Sequence, residues 1–419
     1  MHRSRVSSRV LLLGVVILAG VVAATASCGR GAADAKVEPM QSPAGPNSGQ
    51  PQLTVSARGI LLSWIEQDGR TASLKFAERT ASGWSQVRTV ASGDDWFISA
   101  ADVPSVMRLT DGAFVAHWLQ QTDPAAEAYD LRLSYSSDEA QTWATSFTPH
   151  HDGTKTQHGF ASLFEMPGAG LGLVWLDGRA MPPDQEHSEH GSMSLRLATF
   201  DRDWKQTSEA LLDPRVCECC PTTAAATAEG VITAFRDRSA DEVRDIAVVR
   251  LENGNWSEPT SVHEDDWQIS ACPVNGPAMS ARGREIAIAW FTVKNAQGQT
   301  YAALSQDAGR SWGTAIRLDE NGSLGRVGIA MLGDGSAVAT WVEIADQRAQ
   351  FRMRRVDPSG ATGPVLNIAS GTGGRLSGYP RVAAHEDELV FAWTERVPTD
   401  AGGVAGPARV QTAAARVRH

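Results

Sequence analysis

Four cysteines in two short stretches are the residues best suited to chemistry. Cys217, Cys219 and Cys220 lie in Arg215-Val216-Cys217-Glu218-Cys219-Cys220-Pro221, and Cys272 lies in Ser270-Ala271-Cys272-Pro273. In an oxidising compartment such thiols pair as disulfides, and four cysteines allow three connectivities. An adjacent Cys219–Cys220 bridge would be strained, so one of that pair is expected to bond to Cys272. Kept as thiolates, the group would instead suit zinc or copper(I), with His158, His187 or His190 as further ligands. The C-x-C-C spacing differs from the C-x₂-C of common zinc sites.

Arginine is the second chemical resource. Lysine and arginine together number 38, and only five are lysine. The guanidinium is the better group for gripping a carboxylate in a two-pronged fork. Arg236-Asp237-Arg238 and Arg244-Asp245 could equally pair among themselves as a salt-bridged loop network. The net charge of −10 argues against nucleic acid as a partner, which calls for a basic footprint.

The N-terminus reads as an export signal. Arg3, Arg5 and Arg9 precede an apolar run from Val10 to Ala24, and Thr25-Ala26-Ser27-Cys28 follows. This resembles a bacterial lipobox with Cys28 as the acylated residue, although Thr25 stands where Leu is usual. A plain signal peptide cut near Cys28 is the alternative. The apolar run is short for the ~20 residues that cross a bilayer. Residues 1–27 are thus expected to be a lipoprotein signal and 28–51 a flexible Gly, Ala, Pro and Ser tether. Residues 52–419 remain as the folded body, exported and anchored at the cell envelope.

Something must position the cysteine and arginine loops, and an internal repeat shows what. An apolar strand ending in an aromatic recurs seven times, at Trp64, Trp118, Trp175, Phe235, Trp290, Trp341 and Trp393, spaced 51 to 60 residues apart. Each copy follows a short strand and a turn, and each precedes an alternating strand. Three or four strands per unit at this period indicate a β-propeller. The last unit lacks an outer strand. Either the N-terminal segment supplies it and the ring has seven blades, or the ring has six.

Two turns sharpen the assignment. Ser305-Gln306-Asp307-Ala308-Gly309-Arg310-Ser311-Trp312 follows the pattern S-x-D-x-G-x-[ST]-W, and Ser136-Ser137-Asp138-Glu139-Ala140-Gln141-Thr142-Trp143 repeats it with Ala for Gly. Asp can accept hydrogen bonds from the turn amides, Gly can take a left-handed conformation, and Trp can anchor the turn. These turns resemble the Asp box, or BNR repeat, of sialidase-like propellers. The resemblance implies an all-β propeller with seven blades expected and six as the alternative.

Propeller geometry then sorts the loops. With strands lettered A to D outward from the axis, the Asp boxes are C–D turns. The B–C loops and the D-to-A connections share the opposite face, which holds the substrate in sialidase-like proteins. Sialidases grip a substrate carboxylate with three arginines and cleave with a tyrosine nucleophile and an aspartate acid. Carried over, that chemistry would use Tyr379 as nucleophile and Asp95 or Asp266 as acid. Arg179, Arg236, Arg238 and Arg381 would hold the carboxylate, and Trp96 and Trp267 would stack on sugar or pack between blades. No Phe-Arg-Ile-Pro motif, the source of one arginine in sialidases, stands near the first blade. The leading expectation is a surface-tethered propeller that binds or hydrolyses an acidic glycan. The alternatives are a metal-binding or redox propeller centred on the cysteines, and a non-catalytic scaffold for an envelope protein partner.

Overall fold

A strand that ends in a buried aromatic cannot cover both of its faces, so seven copies must stack on one another. In the computed structural model they do so as seven sheets. Residue 2 and residues 36–417 are described, apart from 124–127, 169, 182–191, 372–376 and 399–404. The expected signal segment (His2 aside), Cys28, His187 and His190 lie outside the described residues. Among the described residues every regular element is a strand, and no helix is long and apolar enough to cross a membrane.

The described chain begins with β1 (Val37–Met40) and then builds the blades in order. Blade 1 holds β2 (Ser48–Ser56), β3 (Gly59–Asp68), β4 (Thr71–Thr80), β5 (Gly83–Trp84) and β6 (Arg88–Gly93). Blade 2 has only β7 (Ser105–Arg108), β8 (Phe114–Asp123) and β9 (Ala128–Ser136), with one bridge from Leu133 to Phe147 at its outer edge. Blade 3 is β10 (His158–Glu165), β11 (Leu171–Asp177), β12 (Met193–Phe200) and β13 (Gln206–Val216). Blade 4 is β14 (Thr223–Thr227), β15 (Gly230–Arg236), β16 (Ile246–Glu252), β17 (Asn255–Trp256) and β18 (Thr260–Ser261). Blade 5 is β19 (Ala278–Arg282), β20 (Glu285–Lys294), β21 (Gln297–Ser305) and β22 (Ile316–Arg317). Blade 6 is β23 (Gly325–Met331), β24 (Ala337–Ala345), β25 (Arg348–Val356) and β26 (Leu366–Ser370). Blade 7 is β27 (Ser377–His385), β28 (Glu388–Pro398) and β29 (Ala405–Arg416), and its fourth strand is β1.

The N-terminal segment therefore completes the last blade. Val37 pairs with Ala415 and Met40 with Thr412, antiparallel. This settles the ring at seven blades and leaves β29 paired on both sides, which removes an exposed edge. It also corrects the expected tether. Residues 37–40 and 48–51 are strand, because ladder pairing satisfies backbone groups whatever the side-chain composition.

Six of the seven repeat aromatics lie inside a second strand and the seventh, Phe235, one residue short of its end, and all seven are buried. Each seam between neighbouring blades has its own apolar cluster, for example Phe76 with Phe114 between blades 1 and 2 and Phe351 with Phe391 between blades 6 and 7. On β3, β11 and β24 the indole also meets a carboxylate two residues on, which shares its side of the strand. Trp64 Nε1 donates to Glu66 at 2.8 Å, Trp175 to Asp177 at 2.8 Å and Trp341 to Glu343 at 3.0 Å. First strands of all seven blades line a central channel of about 210 Å³, so strand A is innermost as expected.

Both Asp-box turns close as the motif requires. Asp307 accepts from Ser305 Oγ at 2.8 Å, Ser311 N at 2.9 Å and Ser311 Oγ at 2.6 Å, while Ser305 Oγ accepts from Gly309 N at 2.9 Å. Burial opposes ionisation of Asp307, but these bonds outweigh it and hold the carboxyl at about 2. The second turn repeats the pattern, with Asp138 accepting from Ser136 Oγ, Gln141 N and both Thr142 donors. The Asp boxes join β9 or β21 to the outer edge, on the face away from the B–C loops.

Candidate functional site

The loops of blade 4 gather the cysteines and three of the arginines. Arg244 donates to Glu218 and to Glu242, each at 2.8 Å, and Arg238 pairs with the same two carboxylates, at 2.6 Å to Glu242. This is the salt-bridged network, so Arg238 is already committed within the chain. Arg236 is 2% exposed. It donates to the carbonyls of Asn275 (2.8 Å), Arg244 (2.5 Å) and Phe291 (2.7 Å), and its guanidinium lies over the Trp267 ring at 5.0 Å. A guanidinium spent on three carbonyls is a stitch between blades. The expectation that Arg236 and Arg238 grip a ligand carboxylate is corrected accordingly.

Beneath this network no disulfide joins Cys217, Cys219, Cys220 and Cys272, so the expected bridge from Cys219 or Cys220 to Cys272 is not formed in the structure. Cys217 Sγ lies 3.2 Å from Cys220 Sγ and 4.0 Å from Cys219 Sγ, and all three sulfurs lie within 4.8 Å of one another. Cys272 lies close to Cys219. Arg244 Nη1 approaches Cys217 Sγ at 3.3 Å, and the Asn275 N–H approaches Cys220 Sγ at 3.3 Å. Hydrogen bonding from Cys219 and Cys220, with help from the Arg236 charge, draws the Cys217 thiol below its ordinary range. Three sulfurs at this spacing fit a soft ion such as zinc or copper(I).

The sialidase-type catalytic set is not assembled. Tyr379 is buried, its hydroxyl donates to the Val274 carbonyl, and burial pushes its pKa upward. Buried and bonded to a backbone carbonyl, this phenol is not presented to a ligand on the loop face. Arg381 lies on the wall of the central channel with its guanidinium 5.5 Å from the Tyr379 ring, and burial lowers it to about 10. Arg179 forks onto Asp177, at 2.8 Å for both Nε and Nη2, and its Nη2 reaches Glu209 at 3.0 Å. Asp95 is exposed and accepts from Gln120 Nε2 at 2.7 Å, while Asp266 is exposed on the loop after blade 4. Among the described residues neither forms a hydrogen bond or ring contact with Tyr379. Trp96 stacks on Trp118 with centroids 5.4 Å apart, and Trp267 is buried against Arg236 and Phe291, so both indoles pack between elements. The resemblance supplied these roles, and tertiary packing used the side chains otherwise.

A different group converges on the loop face between blades 2 and 3. The rings of His150 and His158 stack with centroids 3.8 Å apart and planes 4° apart. Asp130, at the start of β9, reaches one edge of the stack, with Oδ1 3.8 Å from His150 Nε2 and 3.7 Å from His158 Nδ1. Asp152 reaches the other edge, with Oδ2 3.3 Å from His150 Nδ1 and 3.2 Å from His158 Nε2. Asp177 Oδ2 and Arg179 close that second edge, at 3.9 Å from His158 Nε2 and 3.4 Å from Asp152 Oδ2. Burial first, and then the adjacent His158, lower His150 to about 4. Sequence reading named His158 only as a companion to the cysteines, whereas it joins this separate cluster. His150 was passed over; its signal was the run Pro149-His150-His151-Asp152, eight residues before His158.

The same face holds an open cavity of about 680 Å³ at the seam of blades 7 and 1. Asn47, Gln50, Gln67, Ser99, Thr394 and Arg396 contribute amides, hydroxyls and one guanidinium to its wall.

Strand order and loop placement together define a seven-bladed β-propeller. Among solved structures it is similar to the polysaccharide lyase Uly1, at 11% identity over 88% of this chain and 90% of that one, with a TM-score of 0.52. It is also similar to the α-L-arabinofuranosidase Arb93A of Fusarium graminearum (14% identity, 77% and 94% covered, TM-score 0.47). NanB sialidase from Streptococcus pneumoniae gives 10% identity, 85% and 84% covered and a TM-score of 0.45. At these identities the likeness is one of fold. No protein-family model and no curated protein matches the sequence.

Proposed function

We propose that this chain is a carbohydrate-directed propeller that takes an acidic glycan on its loop-rich face and is held at the bacterial envelope through lipidated Cys28. The observation that carries this reading is the 680 Å³ cavity between blades 7 and 1, whose wall mixes amides and hydroxyls with Arg396. Sugars present a dense set of hydroxyl donors and acceptors, and pockets orient ligands through a few such polar groups. Arg396 would supply charge for a ligand carboxylate. The solved neighbour Uly1 is a polysaccharide lyase, which is consistent with a glycan ligand for a fold of this kind. Binding is the primary activity proposed; hydrolysis by Tyr379 with Asp95 or Asp266 is not, because Tyr379 is buried with its hydroxyl donated to the Val274 carbonyl.

A glycan array, run beside assays with aryl sialosides and uronate polysaccharides, tests this. Binding to acidic glycans is expected, and Arg396→Ala should weaken it roughly tenfold or more, since a hydrogen bond to a charged group contributes about 1.5–3 kcal/mol. Absence of both binding and turnover with every acidic glycan would sink it.

A second reading is favoured by the sulfur geometry. Cys217, Cys219 and Cys220 would hold zinc or copper(I) as thiolates, with Arg244 balancing charge at Cys217. Elemental analysis of protein purified under reducing conditions distinguishes metal from disulfides. Metal-free protein lacking free thiols in this group would leave structural bridges only. No specific observation favours an envelope scaffold role.

A further inference from the structure

We propose that Asp130, His150 and His158 form a binding site for a divalent transition-metal ion, zinc in the first instance, on the loop face between blades 2 and 3. These three residues offer ligand atoms that all lie within 4.8 Å of one another. They come from the start of β9, the connection after blade 2 and the start of β10, so the fold brings them together across a seam.

The first reason is the state of the two imidazoles. The His158 side chain is 0% exposed and His150 is 5% exposed. Neither nitrogen of His158 has a hydrogen-bond partner, and neither does Nε2 of His150. Buried polar atoms are nearly always satisfied, and an exception calls for an explanation such as a bound ion. Parallel stacking of two rings with orphaned nitrogens is a poor arrangement unless something shared lies at their edge.

The second reason is the difference between the two edges. At one edge Asp152 Oδ2 faces both rings at 3.2–3.3 Å. Asp152 is itself held by the Thr154 N–H at 3.0 Å and by Arg179 at 3.4 Å. A neutral imidazole carries one N–H and one lone pair. The Asp152 contacts are not aligned as hydrogen bonds, but the negative carboxylate favours the tautomers with N–H on its side, which leaves the lone pairs of His150 Nε2 and His158 Nδ1 on the Asp130 side. That edge then holds two lone pairs and a carboxylate oxygen, all acceptors, with no donor hydrogen-bonded to the two nitrogens among the described residues. A single cation satisfies all three. Asp152 would play the part of the outer carboxylate that fixes ring orientation in metal sites.

The geometry also decides which edge and which ion. The Asp152 edge already has its cation, because Arg179 forks onto Asp177 and also reaches Asp152. At the Asp130 edge Arg132 acts only through its charge, with no Arg or Lys ion pair to Asp130 among the described residues, and Asp130 is 25% exposed, so the site opens to solvent there. Donors around a tetrahedral zinc with bonds of about 2.0–2.1 Å sit roughly 3.4 Å apart. The observed 3.7 and 3.8 Å separations need contraction by a few tenths of an ångström, and the two parallel rings must tilt so that their in-plane lone pairs converge on the ion. Two imidazoles and one carboxylate with open positions suit zinc or iron(II) rather than copper(I). Metal binding by the histidines requires nothing of the Cys217 group or of the glycan reading.

Cobalt(II) titration of the metal-stripped full-length protein tests the proposal, because cobalt reports its ligands by colour. Uptake is expected to give visible d–d bands that Asp130→Asn removes while any near-ultraviolet thiolate band from the Cys217 group persists, and added zinc should displace the cobalt. Asp130→Asn should weaken this uptake at least roughly tenfold, and Asp152→Asn by a similar factor as an outer-shell change. Asp130 is partly exposed, so its variant keeps the fold, verified by circular dichroism; His150→Gln serves as a second variant. Cobalt uptake that is entirely thiolate-ligated, uptake unchanged by both Asp130→Asn and His150→Gln, or no uptake at micromolar cobalt would overturn it.

Discussion

Arg236 Nη2 donates to the Phe291 carbonyl at 2.7 Å, and so ties blade 4 to blade 5. Its Nε and Nη1 end on the Asn275 and Arg244 carbonyls, so one buried guanidinium closes three backbone acceptors. Replacing Arg236 by Ala leaves those acceptors unpaired in a dry seam, at about 1–3 kcal/mol for each one that water does not reach. A loss of about 3–5 kcal/mol in urea unfolding is expected. Arg236→Lys should recover only a fraction, since an ammonium lacks the planar fork. A loss below about 1 kcal/mol for Arg236→Ala would show that the stitch is dispensable.

The two Asp boxes should respond to opposite substitutions. Ala140 sits at φ 58° and Gly309 at φ 80°, so both occupy the left-handed region. That conformation costs a residue with Cβ roughly 1–2 kcal/mol. Ala140→Gly should raise stability, by up to about 1 kcal/mol once the added freedom of the unfolded chain is subtracted. Gly309→Ala should lower it by more than the strain alone, because the new Cβ would lie 2.3 Å from Ile232 Cδ1. Denaturation midpoints of the two variants are expected to move in opposite directions.

Asp102 makes stability depend on pH with a definite sign. Burial raises its carboxyl to about 7, against the pull of the Phe160 N–H and the Tyr129 hydroxyl. Between about pH 4 and 7 the folded chain holds a proton that the unfolded chain has lost. Stability should therefore fall as pH rises through this window, by about 4 kcal/mol in total from this group. Asp213, raised to about 6 chiefly by burial, adds a smaller slope of the same sign. Asp102→Asn should flatten most of the decline in urea unfolding measured at pH 5 and pH 7.5. An unchanged slope would mean that Asp102 is ionised in the fold.

Strand β1 should matter more than its four residues suggest. A chain beginning at Gln41 loses the pairing with β29 and the packing of Val37 on the blade 6 and 7 cluster. The ladder bonds contribute about 0.5–1.5 kcal/mol each, and the Val side chain about 1.5 kcal/mol or more if fully buried. A drop of about 3 kcal/mol relative to a chain beginning at Lys36 is expected. The bared β29 edge should also promote association, which size-exclusion chromatography would detect.

Much of the architecture was legible because it depends on periodic demands. Trp64 and its six counterparts recur because every blade needs an aromatic on its second strand. Ser305, Asp307 and Ser311 recur because a tight turn must satisfy its own amides. The site was less legible. Asp130, His150 and His158 come from a strand start, a connection and the next strand start. No spacing along the chain encodes their meeting, because it arises only when blades 2 and 3 pack. Arg236 misled for a related reason: a guanidinium that grips a ligand and one that stitches backbone carbonyls look alike in sequence.

By itself the sequence determined the all-β class, the blade period, the turn chemistry and the face on which the cysteine and arginine loops lie. These follow from local patterns, since strand period and turn hydrogen bonds operate over a few residues. Only tertiary structure decided that β1 closes the seventh blade, that Tyr379 is buried against the Val274 carbonyl, and that two histidines stack between carboxylates. Those outcomes depend on burial and on contacts between distant segments, where desolvation and partner geometry decide what a side chain can do.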